Sequence, residues 1–125
     1  MIYGIGNDII EISKIKKSIL SSNGAFLMRV FTDYEIKYCN SKKNRYQHYA
    51  VRFAAKEALM KAIGIGWQKG VKWKDVEVRN GELGKPTLNL YGKVKQLVDE
   101  MGVRNVLVTL SHCEEYAVAE VVLEN

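Results

Sequence analysis

Hydrophobic and polar positions change their period several times along the chain, and each change predicts an element. Residues 1–8 are a β-branched and aromatic run ending at Gly6-Asn7-Asp8. They predict a strand that delivers an acidic side chain at its C-terminal end. After a turn near Glu11, residues 13–21 predict a helix. Gly24 punctuates, and the apolar stretch Phe26 to Phe31 follows. Thr32-Asp33-Tyr34-Glu35 has the spacing of a capping box, with Thr32 as N-cap and Glu35 three residues on, so a helix should run to about Asn40. The basic stretch Lys42-Lys43-Asn44-Arg45 predicts a loop. From about Asn44 to Ile63 the chain is rich in Ala, Glu, Lys, Leu and Met, the best helix formers, and Gly64 and Gly66 stop it.

The second half is shorter in its periods. Val76-Glu77-Val78 predicts a strand, Asn80-Gly81 and Gly84-Lys85-Pro86 predict turns, and Thr87-Leu88-Asn89-Leu90 predicts another strand. Tyr91 to Met101 reads as an amphipathic helix ended by Gly102. Asn105 to Ser111 and Tyr116 to Leu123 predict a hairpin turning at Cys113-Glu114-Glu115. There is no repeat, linker or low-complexity segment. Helices interspersed with mainly antiparallel strands predict an α+β fold, one domain over residues 1–125, with the sheet packed against a long central helix.

Composition changes this picture little. Of 125 residues, 47% are apolar and 26% charged, ordinary values for a globular domain. No apolar run approaches the roughly 20 residues of a membrane span. The start lacks a basic segment with a cleavage site. A cytoplasmic protein with no membrane partner is therefore expected. Cys39 and Cys113 lack metal-type spacing, so free thiols are expected and a zinc site is not. The net charge of +5 favours anionic partners.

The candidate chemistry lies mainly on the central helix. Glu57 and Lys61 are four residues apart and share a face, with Ala50, Ala54 and Gly64 close to it. Small residues there leave room for a ligand, and Gly64-Ile65-Gly66 lets backbone approach it. An exposed ion pair followed by a capping glycine explains the same spacing. Arg45 and Arg52, seven apart, stack on another side of the helix and suit a phosphate clamp or a solvated basic face. Asp8 suits either a turn or, with Glu57 and Lys61, a magnesium–pyrophosphate site. Ser111-His112 ends a hydrophobic strand, where a histidine can donate to phosphate or serve structure alone. There is no Ser-His-Asp order, no P-loop lysine motif, and Gly4-Ile5-Gly6 lacks the third glycine of a dinucleotide fingerprint.

Three segments taken in order resemble the holo-acyl-carrier-protein synthase family, the small phosphopantetheinyl transferases. They are residues 4–12 (Gly-Ile-Gly-Asn-Asp-Ile-Ile-Glu-Ile), residues 52–66 (Arg-Phe-Ala-Ala-Lys-Glu-Ala-Leu-Met-Lys-Ala-Ile-Gly-Ile-Gly), and Ser111-His112 with the strand Tyr116 to Val122. Gly84-Lys85-Pro86 also fits. The resemblance covers essentially the whole chain and implies the 4'-phosphopantetheinyl transferase fold. It implies that Asp8 and Glu57 bind Mg2+, that Lys61 contacts the pyrophosphate of coenzyme A, and that Asp8, Glu57 and Lys61 form the catalytic set. Arg45, Arg52, Gly64, Gly66, Pro86, Ser111 and His112 border the coenzyme on this reading. It further implies a homotrimer with shared sites, and transfer of phosphopantetheine to a serine of an acyl carrier protein in support of fatty acid synthesis. The proton acceptor is open among Glu57, Asp8 and water on the metal, with metal-bound water helped by an acidic ligand the favoured reading.

The chain departs from the family pattern at Ile65, where a threonine is common, and at Lys14, where an arginine that docks the acidic carrier is common. A rival expectation is a basic nucleic-acid-binding domain using Lys42, Lys43, Arg45, Tyr38, Tyr46 and Tyr49. Another is a magnesium phosphotransferase acting on a free nucleotide.

Overall fold

The computed structural model describes residues 1–68 and 70–125. Its elements are β1 (Ile2–Glu11), α1 (Ile12–Ser21), α2 (Ala25–Val30), α3 (Asp33–Asn40), α4 (Arg45–Ile63), β2 (Val76–Asn80), β3 (Pro86–Leu90), α5 (Gly92–Glu100), β4 (Asn105–His112) and β5 (Tyr116–Glu124). Strands β1, β5 and β4 form an antiparallel sheet in that order, and β2 pairs with β3 as a second, two-stranded sheet. Among the described residues no helix is long and apolar enough to cross a membrane.

The α+β fold and the long central helix agree with the sequence pattern. β5 alternates strictly: Ala117, Ala119, Val121 and Leu123 are buried against α4, while the residues between them face outward. Helix α4 answers with Ala54, Ala55, Ala58 and Ala62, whose small side chains let the helix lie close to the sheet. The approach is tightest at β1. A Cβ on Gly6 would run into the carbonyl oxygen of Ala58, and one on Gly4 into that of Ala62. Glycine at both positions is therefore a requirement of backbone contact between strand and helix.

Two local differences follow from tertiary contacts. β1 does not end at Asp8. Asp8 pairs with Ala119, the ladder runs on to Glu11 opposite Tyr116, and α1 begins at once without a turn. Pairing with β5 sets that length, which residue type alone does not. The stretch after Gly24 forms a short helix, α2, whose capping Gly24 sits at φ 88°.

The capping box forms as expected, with Glu35 N–H donating to Thr32 Oγ1 and Thr32 N–H donating to Glu35 Oε1. Glu35 does more than cap. Its wholly buried carboxylate accepts from Lys56 Nζ at 2.7 Å and from Val78 N–H at 2.8 Å. Lys56 also donates to the carbonyls of Val30 and Trp73. Burial pushes the Lys56 ammonium below its ordinary range, against the pull of Glu35. One ion pair thus joins α3, α4 and β2 in a region where an unpaired charge would be costly.

Candidate active site

Three polar side chains meet where β1 crosses the C-terminal half of α4. The pleat that aims Gly4 and Gly6 at the helix aims Asp8 the same way. Lys61, on the last turn of α4, donates from Nζ to Asp8 Oδ1 at 3.0 Å. The Asp8 side chain is 14% exposed and that of Lys61 53%, so the pair lies at a rim with the carboxylate inward. Glu57 lies one turn before Lys61. Its carboxyl is held above the ordinary glutamate range, chiefly by burial. A hydrogen bond from Trp67 opposes that shift, the Asp8 charge adds to it, and the Lys61 charge opposes it.

Glu57 and Lys61 share a face, as their spacing predicts, but they are not each other's ion pair. Lys61 goes to Asp8, and Glu57 Oε1 accepts from Trp67 Nε1 at 3.1 Å. Ala50 and Ala54, expected to leave room for a ligand, are wholly buried and serve the packing of α4. The open space lies further on, in a cleft of about 300 Å³ lined by Glu57, Met60, Lys61, Gly64, Ile65, Gly66 and Trp67. Gly64 needs its left-handed conformation (φ 89°) to cap α4, its N–H donating to Met60 O. A side chain on Gly64 or Gly66 would meet open space.

Among the described residues no three of His, Cys, Asp and Glu gather as a metal cage. Asp8 and Glu57 still fit a magnesium ion, which takes one or two carboxylates and fills its remaining positions with phosphate oxygens and water. A carboxylate raised by burial and by a second carboxylate is a place where a cation would be stabilised.

The two arginines expected as a phosphate clamp or a solvated face sit in different surroundings. Arg52 is 1% exposed, not part of a solvated face. Its Nη1 donates to His48 O at 3.1 Å and its Nη2 to Asn80 Oδ1 at 2.6 Å, with the guanidinium 4.4 Å above the Tyr38 ring. Its Nε is buried without a partner among the described residues. Arg45 is exposed at the start of α4, over the Tyr46 ring. The two share a helix side, but α3 and the end of β2 cover that side at Arg52. Around it lies a basic group: burial, and then the charges of Arg52, Lys42 and His112, push His48 below its ordinary range.

Ser111 and His112 are neighbours on β4 and so point to opposite faces. His112 takes the helix side, paired across from Ala117, and Ser111 takes the outer face opposite Val118. Pro86 opens β3 and lines a separate groove of about 380 Å³ with Leu107, Thr109, Glu120 and Val122. Within one chain, then, Asp8, Glu57, Lys61, Gly64 and Gly66 assemble, while Arg45, Arg52, Ser111, His112 and Pro86 lie elsewhere. Lys14 is exposed on α1, 3.9 Å from the less exposed Glu11. The aromatics of the nucleic-acid alternative are engaged internally. Tyr49 is buried and donates to Asn40, Tyr38 carries Arg52 and Lys42, and Tyr46 carries Lys16 and Arg45.

Trp67, which donates to Glu57, and His48 and Asn80, which accept from Arg52, are contacts the sequence pattern did not single out. Only the position of Trp67, directly after the glycines, offered a signal.

Residues 4–121 match the family model of the 4'-phosphopantetheinyl transferase superfamily. A holo-acyl-carrier-protein synthase of Geobacter sp. (strain M21) is 50% identical over 124 residues, covering 99% of both chains. The crystal structure of the holo-acyl-carrier-protein synthase from Neisseria meningitidis superposes with a TM-score of 0.92 at 32% identity, covering 100% of both chains. That from Bacillus anthracis, described as a complex with CoA (3',5'-ADP), superposes with a TM-score of 0.82 at 39% identity, covering 100% of this chain and 98% of the other. With the family model spanning most of the chain and a relative this similar over its full length, the chain belongs to the 4'-phosphopantetheinyl transferase superfamily.

Proposed function

We propose that this protein is a holo-acyl-carrier-protein synthase, which transfers 4'-phosphopantetheine from coenzyme A to a serine of an apo-acyl carrier protein. The observation that carries this is the meeting of Asp8, Glu57 and Lys61 beside an open glycine-bordered cleft, in a chain half identical to such a synthase. The serine hydroxyl attacks the β-phosphorus of coenzyme A, a new P–O bond forms, and 3',5'-ADP departs as the pyrophosphate bond breaks. The hydroxyl proton goes to an acceptor in the acid cluster or to solvent.

Asp8 and Glu57 would hold a magnesium ion, which when bound would supply positive charge to the pyrophosphate oxygens. Lys61, paired with Asp8 in the free protein, would turn to the phosphates if a cation engaged that carboxylate. The glycines at 64 and 66 admit the coenzyme close to backbone. The net charge of +5 favours encounter with two anionic substrates, and exposed Lys14 offers a contact to the acidic carrier. The free cysteines suit a reducing compartment, so we place the enzyme in the cytoplasm, serving fatty acid synthesis.

The working unit is a homotrimer. Arg45 and Glu57 are twelve residues apart on one helix, about 18 Å of rise, so the basic group and the acid cluster stand well apart in one chain. The outer face of the β1-β5-β4 sheet leaves Ile5 62%, Ile9 63%, Leu107 47% and Val118 37% exposed, an apolar surface fit to be covered. Assembly through that face would bury it and could bring the exposed Arg45 and His112 of one copy toward the acid cluster of the next. Release of 3',5'-ADP that requires both coenzyme A and an apo carrier tests the reaction. A monomer in solution by light scattering would remove the shared site.

A further inference from the structure

Trp67 lies ten residues beyond Glu57 yet returns to it. The left-handed Gly64 turns the chain back over the end of α4, and the indole Nε1–H donates to Glu57 Oε1 at 3.1 Å. The ring does not hang free. It stacks on Trp73 at 3.9 Å between centroids, and Trp73 stacks on Phe53 at 5.0 Å. The carbonyl of Trp73 accepts from Lys56 Nζ at 3.3 Å, and Lys56 is fixed by Glu35 at 2.7 Å. A wholly buried ion pair therefore anchors the middle of this stack through the Trp73 carbonyl, and the Trp67 end presents a single N–H to a half-buried carboxylate.

We infer that Trp67 is a positioning residue for Glu57: it holds one carboxylate oxygen so that the other stays directed to the cation. This rests on the reading of Glu57 as a metal ligand. A glutamate has three side-chain torsions and would otherwise sample many of them at a cleft rim. Ligands that are held by outer partners keep their orientation, and loss of such a partner typically lowers metal affinity about 10- to 100-fold. Indole suits the task because its nitrogen only donates, so it neither competes for the ion nor changes protonation. A residue that merely filled the cleft wall would need the ring and not the N–H.

Trp67→Phe keeps a ring for the stack and deletes the N–H. The test titrates Mn2+ alone into the full-length protein and follows the free ion by electron paramagnetic resonance, for wild type, Trp67→Phe and Glu57→Gln. Thermal melts run in parallel. The expected result is a Mn2+ site in wild type, lost in Glu57→Gln and weakened about 10- to 100-fold in Trp67→Phe, with a melt close to wild type. Wild-type Mn2+ affinity in Trp67→Phe overturns the role of Trp67 while leaving Glu57 a ligand. A wild-type site that survives Glu57→Gln, or no site at all, overturns the ligand reading and the Trp67 role with it. Should Trp67→Phe melt early, β-(3-benzothienyl)alanine placed at position 67 keeps the bicyclic shape without the N–H, and the same affinities decide.

Discussion

Lys61 Nζ and Asp8 Oδ1 stand 3.0 Å apart although they lie 53 residues apart in sequence. The pair joins the middle of β1 to the last turn of α4 at the mouth of the cleft. On the proposed function, this pairing would hold the ammonium beside the cleft, ready for phosphates once a cation engages Asp8. Lys61→Ala is therefore expected to lower kcat/KM for coenzyme A about 10- to 100-fold, the worth of one charge-assisted contact. The melt should change little, because the Lys61 ammonium is half exposed and water can take its place at the rim. Steady-state kinetics with varied coenzyme A check this, and an unchanged kcat/KM would remove Lys61 from phosphate binding.

Gly6 makes the site possible by letting β1 touch α4. Gly6→Ala sets a methyl against the Ala58 carbonyl, which as helix backbone cannot step aside. The expected cost is about 3 kcal/mol of stability. Asp8 should shift with the strand, so activity falls further than the fraction unfolded explains. Denaturant melts and assays on the folded fraction separate the two. A normal melt would show that strand and helix are not in backbone contact.

The Glu35–Lys56 pair is expected to be costly to break from one side. Lys56→Met leaves the Glu35 carboxylate buried and unpaired, and should lose about 3–5 kcal/mol. The double replacement Glu35→Gln with Lys56→Met should lose less than Lys56→Met alone, since no uncompensated charge remains. A denaturant double-mutant cycle measures this. Additive losses would mean that the two groups do not interact.

Glu57 carries a stability cost near neutral pH. Burial raises its pKa in the folded chain above the unfolded value. Its favourable contribution is then fully present below the unfolded pKa and is lost as pH rises through the folded one. Near neutral pH, in the absence of metal, Glu57→Gln should melt higher than wild type, and the difference should shrink toward acid as Glu57 protonates. Melting curves across pH check the sign. A Glu57→Gln protein that is less stable at neutral pH would contradict the burial cause.

Elements with a strong local signal were legible in the sequence. The capping box at Thr32 and Glu35, the helix ending at Gly64 and the hairpin of β4 and β5 follow from spacing and residue type. What escaped depends on pairing between distant segments. β1 runs through Asp8 because β5 offers a ladder. Lys56 looks like any helix-surface lysine until Glu35 and two carbonyls surround it. Arg52 reads as a basic-face residue, and only the fold covers it with Tyr38 and Asn80. Ser111 and His112 read as one motif, yet the strand's period of two sends them to opposite faces. Trp67 follows two glycines, where no periodicity predicts the chain's direction.

The most direct measurement is the intact mass of an apo-acyl carrier protein after incubation with this protein, coenzyme A and Mg2+. It is read beside the same mixtures containing a chelator, Asp8→Asn or Glu57→Gln. A carrier heavier by one phosphopantetheine group is expected with wild type and Mg2+, and little or none in the other three. Several carriers left unmodified by the wild-type protein, or modification that is indifferent to both substitutions, would contradict it.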